Sequence, residues 1–233
     1  MCSFKLTMFM DTNIETSISS LLLQKNYPCV AAVQSFLKKD YIVGTYKNFG
    51  DGTHSYELGM ALLDFKKRQQ SSKSPFMSFW AVFEDDCELD ESTFEIRMWR
   101  ELSFLTSYEE FTASWDPHFS KDPKDKNFCF SLHGSAYYVL GLHPHSSRLA
   151  RRFPYPALIF NLYDQFRALM NDNNDFAKMV HINRRREQIF QGDLNPMVEK
   201  YGETWESIQF SGRENPPDWK CPFQFALQRE QQQ

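Results

Sequence analysis

The chain has 233 residues, of which 42% are hydrophobic and 24% charged, a composition typical of a soluble globular domain. Its net charge of −4 argues against general nucleic-acid binding, and no apolar run reaches the roughly 18 residues of a membrane span. The five cysteines lack CxxC spacing, which excludes a zinc ribbon and a disulfide framework. Because the N-terminus also lacks a secretory h-region, the expected location is cytoplasmic.

The composition divides the chain into three predicted segments. Residues 1–26 are predicted to form an N-terminal extension with a short helix at IETSISSLLLQK, and residues 226–233 a polar tail. Residues 27–225 between them are predicted to form one domain, a length that can bury a sizeable core.

Hydrophobic spacing predicts the elements of the first half of this domain. Apolar residues at helical spacing predict a helix over residues 55–70, with basic residues in its last turn. The apolar run at residues 76–84 predicts a buried strand. Ser92, followed by Glu95, has the pattern of a capping box and predicts the start of the next helix.

Alternating residues dominate the next part of the chain. They predict a β-hairpin over residues 128–142, with His133 and Gly134 at its turn. The run PALIF predicts another strand, after which Asn161 is predicted to cap a helix, and a longer helix is predicted to end at Gly192. Together the elements predict a single mixed α+β domain with a central, mostly antiparallel sheet flanked by helices.

The segment GLHPHSSRLARRFPYP concentrates cationic side chains between two apolar runs. Ser146 or Ser147 is predicted to cap a short helix on which Arg148, Arg151 and Arg152 share one face. Three guanidinium groups on one face repel one another unless anions neutralise them. Either Asp and Glu partners or solvent do so, or the arginines bind a carboxylate pair or a phosphate; haem propionates are such a pair.

His143 and Cys221 are the side chains best placed to bind iron. His143 directly follows a buried strand and precedes a proline, so its imidazole could ligate a metal, although a core histidine is the alternative. Cys221 lies beside Lys220, which could stabilise a thiolate; the alternative is a small buried residue.

A colinear set of motifs resembles the YqcI/YcgG family over roughly residues 27–225. The motifs are YPCVAA, MSFWAVFE, MWRELSFL, WDPHFSKDP, GLHPHSSRLARRFPYPALIFN, INRRREQIFQGDLNPM, SIQFSGR and WKCPF. Family members with an assigned activity are haem-dependent N-hydroxylases of guanidine groups in arginine-like amino acids. The resemblance therefore implies a monooxygenase with haem b iron, a guanidino substrate, dioxygen or peroxide and an electron donor.

The resemblance also implies roles for individual residues. By position, His143 becomes the axial iron ligand with Cys221 as a rival, and the three arginines become contacts for propionates or a substrate carboxylate. Tyr163 stands where the family pattern has a histidine, and because phenolate also ligates haem iron it is a second rival. Glu203 and Glu206 are predicted to pair with the cationic substrate, unless they are ordinary loop carboxylates.

Aromatic side chains are predicted to form the walls of the site. The predicted wall residues are Phe79, Trp80, Phe128, Phe130, Tyr137 and Tyr138.

Two other functions remain open. One is a haem-binding sensor or carrier without turnover, and the other is a haem-free protein that binds a small anion.

Overall fold

The computed structural model describes residues 12–72, 74–84, 88–170, 173–196, 206–216 and 218–227. These ranges contain a five-stranded sheet and seven α-helices. The strands are β1 (Tyr41–Tyr46), β2 (Ser78–Phe83), β3 (Ser131–Leu132), β4 (Ser135–Leu142) and β5 (Ala157–Leu162). The helices are α1 (Thr12–Leu22), α2 (Val30–Leu37), α3 (Ser55–Ser71), α4 (Glu91–Leu105), α5 (Glu109–Thr112), α6 (Tyr163–Met170) and α7 (Asn173–Gln191). None of the helices in these ranges is long and apolar enough to cross a membrane.

The sheet has the strand order β1-β2-β5-β4-β3. The β1–β2 pair is parallel and the other pairs are antiparallel, which confirms the predicted α+β fold with a mostly antiparallel sheet. The register aligns Val43, Trp80, Ile159 and Leu140 across four strands. Because side chains alternate along a strand, these four side chains lie on the same face of the sheet.

One face of the sheet, called here the packed face, is covered by α3, α4 and the C-terminal segment, which comprises the described residues 206–216 and 218–227. Phe79 and Phe160 from the strands belong to one buried cluster with Trp99 of α4 and Phe210 of the C-terminal segment. The rings of Trp99 and Phe210 stack with their centroids 5.6 Å apart. Aromatic side chains bury large areas, so this face forms a dense core.

The opposite face, called here the cavity face, carries the smaller buried cluster. Ile18 of α1 packs there with Trp80, Leu142 and Phe153. Helix α7 packs on α2, on α6 and on the 3-10 turn Leu149–Arg151. The predicted boundary at residue 26 stays a prediction, although α1 contributes side chains to this cluster.

Two predicted helix caps are wrong. Helix α4 begins after Asp90, whose carboxylate accepts a hydrogen bond from the Thr93 N–H at 2.7 Å, and Glu95 points away to bind the C-terminal segment. Ser92 donates to the same Asp90 carboxylate, so it does not cap the helix. Asn161 lies within β5 and not after it, because the strand continues to Leu162, so Asn161 does not cap the following helix.

The longer elements follow the sequence pattern. The helix predicted at residues 55–70 is α3, the short helix predicted near the N-terminus is α1, and the long helix before Gly192 is α7. The predicted hairpin is formed by β3 and β4, and its turn residues His133 and Gly134 have φ of 53° and 75°. These left-handed values suit glycine and are tolerated by histidine in a tight turn.

Candidate functional site

A cavity of about 320 Å³ lies between the cavity face of the sheet and helices α2 and α7. Its size falls within the range of small-molecule sites, which are mostly apolar with a few polar groups. The sheet provides a floor of Trp80, Leu140 and Ile159. Ala32 and Phe36 of α2 and Met179 and Val180 of α7 form the walls.

Hydrogen bonds within the protein satisfy the polar groups near the floor of the cavity. Trp80 Nε1 donates to Ser78 Oγ at 3.2 Å, and the indole packs edge-on against Phe153. The Gln165 amide bonds both backbone groups of Met77, at 2.7 and 2.8 Å. The floor is therefore a stable apolar surface.

Arg151 provides a cation at one end of this cavity. Its Nη1 donates to the carbonyls of Gly141 and Phe210 at 3.0 Å each, and its Nη2 donates to the Gln209 carbonyl at 3.1 Å. Burial lowers the pKa of Arg151, since its charge is removed from water. The carbonyls orient the guanidinium group but do not neutralise it.

The other two arginines have different partners. Arg148 pairs with Glu187 at 2.7 Å and with Asp193. Arg152 donates from Nε to the Ser146 carbonyl at 2.7 Å and is exposed. The prediction of one shared arginine face is wrong: only residues 149–151 are helical, and the backbone is extended at Arg148 and Arg152.

The predicted serine cap of this segment is also wrong. The 3-10 turn Leu149–Arg151 has Arg148 at its N-cap position and no side-chain cap, and the Ser146 hydroxyl instead accepts from the Arg148 N–H at 3.3 Å.

His143 lies away from the cavity, turned towards α4. The residue is 1% exposed, and its ring stacks on Phe94 with the centroids 4.4 Å apart and the planes at 20°. Burial lowers the pKa of His143 to about 4, against smaller raising effects from Glu91 and a hydrogen bond to the Leu89 backbone. The imidazole is therefore neutral at pH 7, and its Nδ1 has no partner among the described residues.

The rival iron ligands also lie away from the cavity. Tyr163 is 8% exposed, packs edge-on against Phe119 at 4.7 Å and belongs to the packed-face cluster. Cys221 packs against the same cluster, and burial raises the pKa of its thiol to about 12. Neither residue lines the cavity, so the structure does not bring them together with Arg151.

The two predicted substrate carboxylates fall largely outside the described residues. Glu203 lies outside them, and Glu206 begins the 3-10 turn Glu206–Gln209, with its side chain outside the described part of the chain.

A family model provides the match that decides the relationship of this chain. The YqcI/YcgG family model matches residues 18–224, which include all five strands. The chain belongs to the YqcI/YcgG family. The match confirms the resemblance carried by the motifs. No curated protein and no solved structure matches the chain.

Some cavity residues of this YqcI/YcgG protein differ from those predicted from sequence. Of the six predicted wall residues, Trp80 and Tyr138 line the cavity, and the other four belong to the packed-face cluster or pack against it. Cys29 and Glu187 line the cavity and were not predicted as site residues. The motif YPCVAA gives no clear signal for Cys29, since cysteine is not among the residues preferred at a helix N-cap.

Cys29 forms the N-terminal cap of α2. Its sulfur accepts a hydrogen bond from the Ala32 N–H at 3.4 Å. Burial raises the pKa of Cys29, while the N–H groups of Ala32 and Ala31 and the charge of Arg151 act in the opposite direction. The donors that would stabilise a thiolate are thus in place, but burial keeps the thiol protonated.

Proposed function

We propose that this YqcI/YcgG protein is a haem-dependent oxygenase that N-hydroxylates the guanidino group of arginine or a similar compound, and that the cavity is its site. The observation that carries the proposal is the apolar cavity lined by a partly buried cation, Arg151, in a member of this family. An apolar floor suits a flat macrocycle, and a guanidinium group suits its carboxylates.

The side chains of the cavity fit a haem better than the surroundings of His143 do. Phe94 stacks on the His143 ring, and His143 is 1% exposed and lines neither of the cavities described here. The cavity offers the Trp80 and Ile159 floor, the Arg151 cation and the Cys29 thiol. Its volume of about 320 Å³ is near the lower limit for ligand sites, so a haem would extend beyond it towards solvent.

Cys29 would hold the iron in this arrangement. A thiol loses its proton when it binds a metal, which would overcome the effect of burial on its pKa. The Ala32 N–H would then donate to the thiolate sulfur. When bound, the haem supplies the activation of oxygen.

Glu187 takes the role that sequence predicted for Glu203 and Glu206. It is a carboxylate of the cavity lining and pairs with Arg148 at 2.7 Å. A cationic guanidino substrate would share this carboxylate with Arg148. The apolar floor would keep water from the reacting nitrogen.

Hemin titration of the full chain tests the cofactor. We expect a saturable shift of the Soret band at one hemin per chain; a spectrum equal to that of free hemin would contradict the proposal. We then expect Cys29→Ser to change the ferrous–CO spectrum. Cys129→Ser, at a buried cysteine of the packed face, is the matched control. If instead His143→Ala loses the haem and Cys29→Ser does not, His143 is the ligand.

The reaction is tested by incubating the haem-loaded protein with arginine and either a reductant or peroxide. Mass spectrometry should detect a product one oxygen atom heavier than arginine. Haem binding without any product from guanidino compounds would favour the sensor or carrier function.

A haem-free function is the second candidate. The observation that favours it is the volume of the cavity, which can hold a molecule the size of an amino acid without any change in the structure. In that case hemin would not bind, but small carboxylates would raise the melting temperature of the protein.

A further inference from the structure

We infer that Arg151 is the carboxylate-binding residue of the cavity, whereas Arg148 and Arg152 have structural roles. This inference rests on the cavity being the functional site, but it does not require haem. It assigns different roles to three arginines that lie within five residues of one another, according to the groups that each guanidinium contacts.

Three of the N–H groups of the Arg151 guanidinium donate hydrogen bonds to backbone carbonyls. Its three hydrogen bonds go to carbonyls of Gly141, Phe210 and Gln209 and connect the end of β4 to the C-terminal segment. A guanidinium group has five N–H donors. Two of them therefore remain without a partner among the described residues, while the carbonyl bonds hold the group in one orientation.

The charge of Arg151 is not neutralised by a contact in the described part of the chain. The salt bridges there include none to Arg151. Glu187, the lining carboxylate beside it, already binds Arg148 at 2.7 Å. A partly buried cation loses part of its hydration, so a ligand that brings a carboxylate to Arg151 would offset this cost.

The position of Arg151 in the cavity suits an acid with an apolar or flat body. Arg151 lines both the main cavity and the small recess of about 40 Å³ beside it, together with Pro28, Ala150 and Asn195. The apolar floor begins at Leu142, the residue after Gly141 in β4. A carboxylate at Arg151 thus places the rest of the ligand over the strands.

The neighbouring arginines do not combine a position in the lining of the main cavity with a charge that lacks a salt bridge among the described residues. Arg148 is neutralised by Glu187 and Asp193. Arg152 is exposed and does not line the cavity. Arg184 is another cation of the lining, and it is engaged in an interaction of its own.

A haem propionate and the α-carboxylate of an amino acid would present the same chemistry to Arg151. Two pairs of probes distinguish them without any mutation. The first pair is iron-free protoporphyrin IX and its dimethyl ester, followed by fluorescence. The second pair is L-arginine and L-argininamide, followed by calorimetry. In each pair the second compound lacks the free carboxylate.

We expect the acid of at least one pair to bind about 10- to 100-fold more tightly than its neutral counterpart, as for loss of a charge-assisted hydrogen bond. A preference for the porphyrin acid identifies the propionate source, and a preference for arginine identifies the amino-acid source. Equal affinities within both pairs would overturn the inference. Because the porphyrin contains no iron, a carboxylate preference without any hemin binding would overturn only the proposed haem function.

Variants assign the preference to Arg151. Arg151→Gln should abolish it, and the matched variant Arg152→Gln, one residue away, should retain it. Arg151 also holds the C-terminal segment, so circular dichroism must show that Arg151→Gln is folded, and Arg151→Lys, which keeps the charge, should recover part of the preference. If Arg184→Gln abolishes the preference while both Arg151 variants retain it, the inference is wrong.

Discussion

The two faces of the sheet use neighbouring residues of the same strand in opposite ways. In β5, Phe160 is fully buried and contacts the rings of Phe79, Phe130 and Tyr137. Ile159, the residue before it, lies on the floor of the cavity. The aromatic residues in the described part of the chain mainly build one dense core, and the second face of the same sheet carries the cavity.

The difference between the faces follows from the helices that cover them. On the packed face, α3 contacts both β1 and β2. On the cavity face, α7 packs mainly on other helices and on the turn that contains Arg151, which leaves space above the strands. Substitutions should therefore cost more stability on the packed face and affect ligand binding on the cavity face.

The largest difference in the loss of stability between the two faces is expected when two neighbouring residues of β5 are each replaced by alanine. Leu158→Ala should lose stability near the upper end of the usual range of about 2–5 kcal/mol, because Leu158 is fully enclosed. Ile159→Ala should lose near the lower end, since its side chain already borders a cavity. Urea unfolding measures both values, and equal losses would show that the two faces are equally well packed.

A buried carboxylate on α4 should make stability depend on pH. Burial raises the pKa of Glu101 from 4.5 to about 7, although Ser55 and Gly50 donate to it. The folded protein then binds more protons than the unfolded chain between these values, so stability falls as pH rises from 4.5 to 7 and is flat above. The fall is about 3 kcal/mol. Urea unfolding across this range should show the slope, and Glu101→Gln should remove it.

A helical glycine tests the packing of the packed face, because replacing it by alanine should lower stability where such a change usually raises it. Alanine in place of glycine normally stabilises a helix interior by roughly 0.5–1 kcal/mol. At Gly59 of α3, however, an added Cβ would lie 2.1 Å from the Phe111 ring. Gly59→Ala should therefore cost about 1–3 kcal/mol in thermal or urea unfolding. A more stable variant would mean that the Phe111 ring moves aside without cost.

The smallest effect on stability is expected from filling the cavity. Ala32→Leu adds volume where space exists and should change stability by less than about 1 kcal/mol. It should nevertheless weaken hemin binding by tenfold or more. Ala136→Leu on the packed face, where Ala136 is 1% exposed, is the control and should cost about 1–3 kcal/mol. Unchanged hemin binding in Ala32→Leu would place the ligand elsewhere.

Local patterns predicted the elements of the fold well, and long-range contacts decided most of the errors. The spacing of apolar residues was enough for α3, α7 and the β3–β4 hairpin, because such periodicity depends only on neighbours in the chain. Glu95 was assigned to a capping box, but it binds Ser211, Arg213 and Asn215, more than a hundred residues away. No pattern within one helix reveals such partners.

By itself the sequence determined the family, the elements and the alternation along β4, which places Leu142 and the following His143 on opposite sides. Only the tertiary structure decided which side became filled and which stayed open. Phe94 of α4 covers His143, whereas α7 stands off from the strands and leaves Arg151 at a cavity. The physical reason is that the covering of a sheet face depends on helices distant in the chain, whose packing no local pattern specifies.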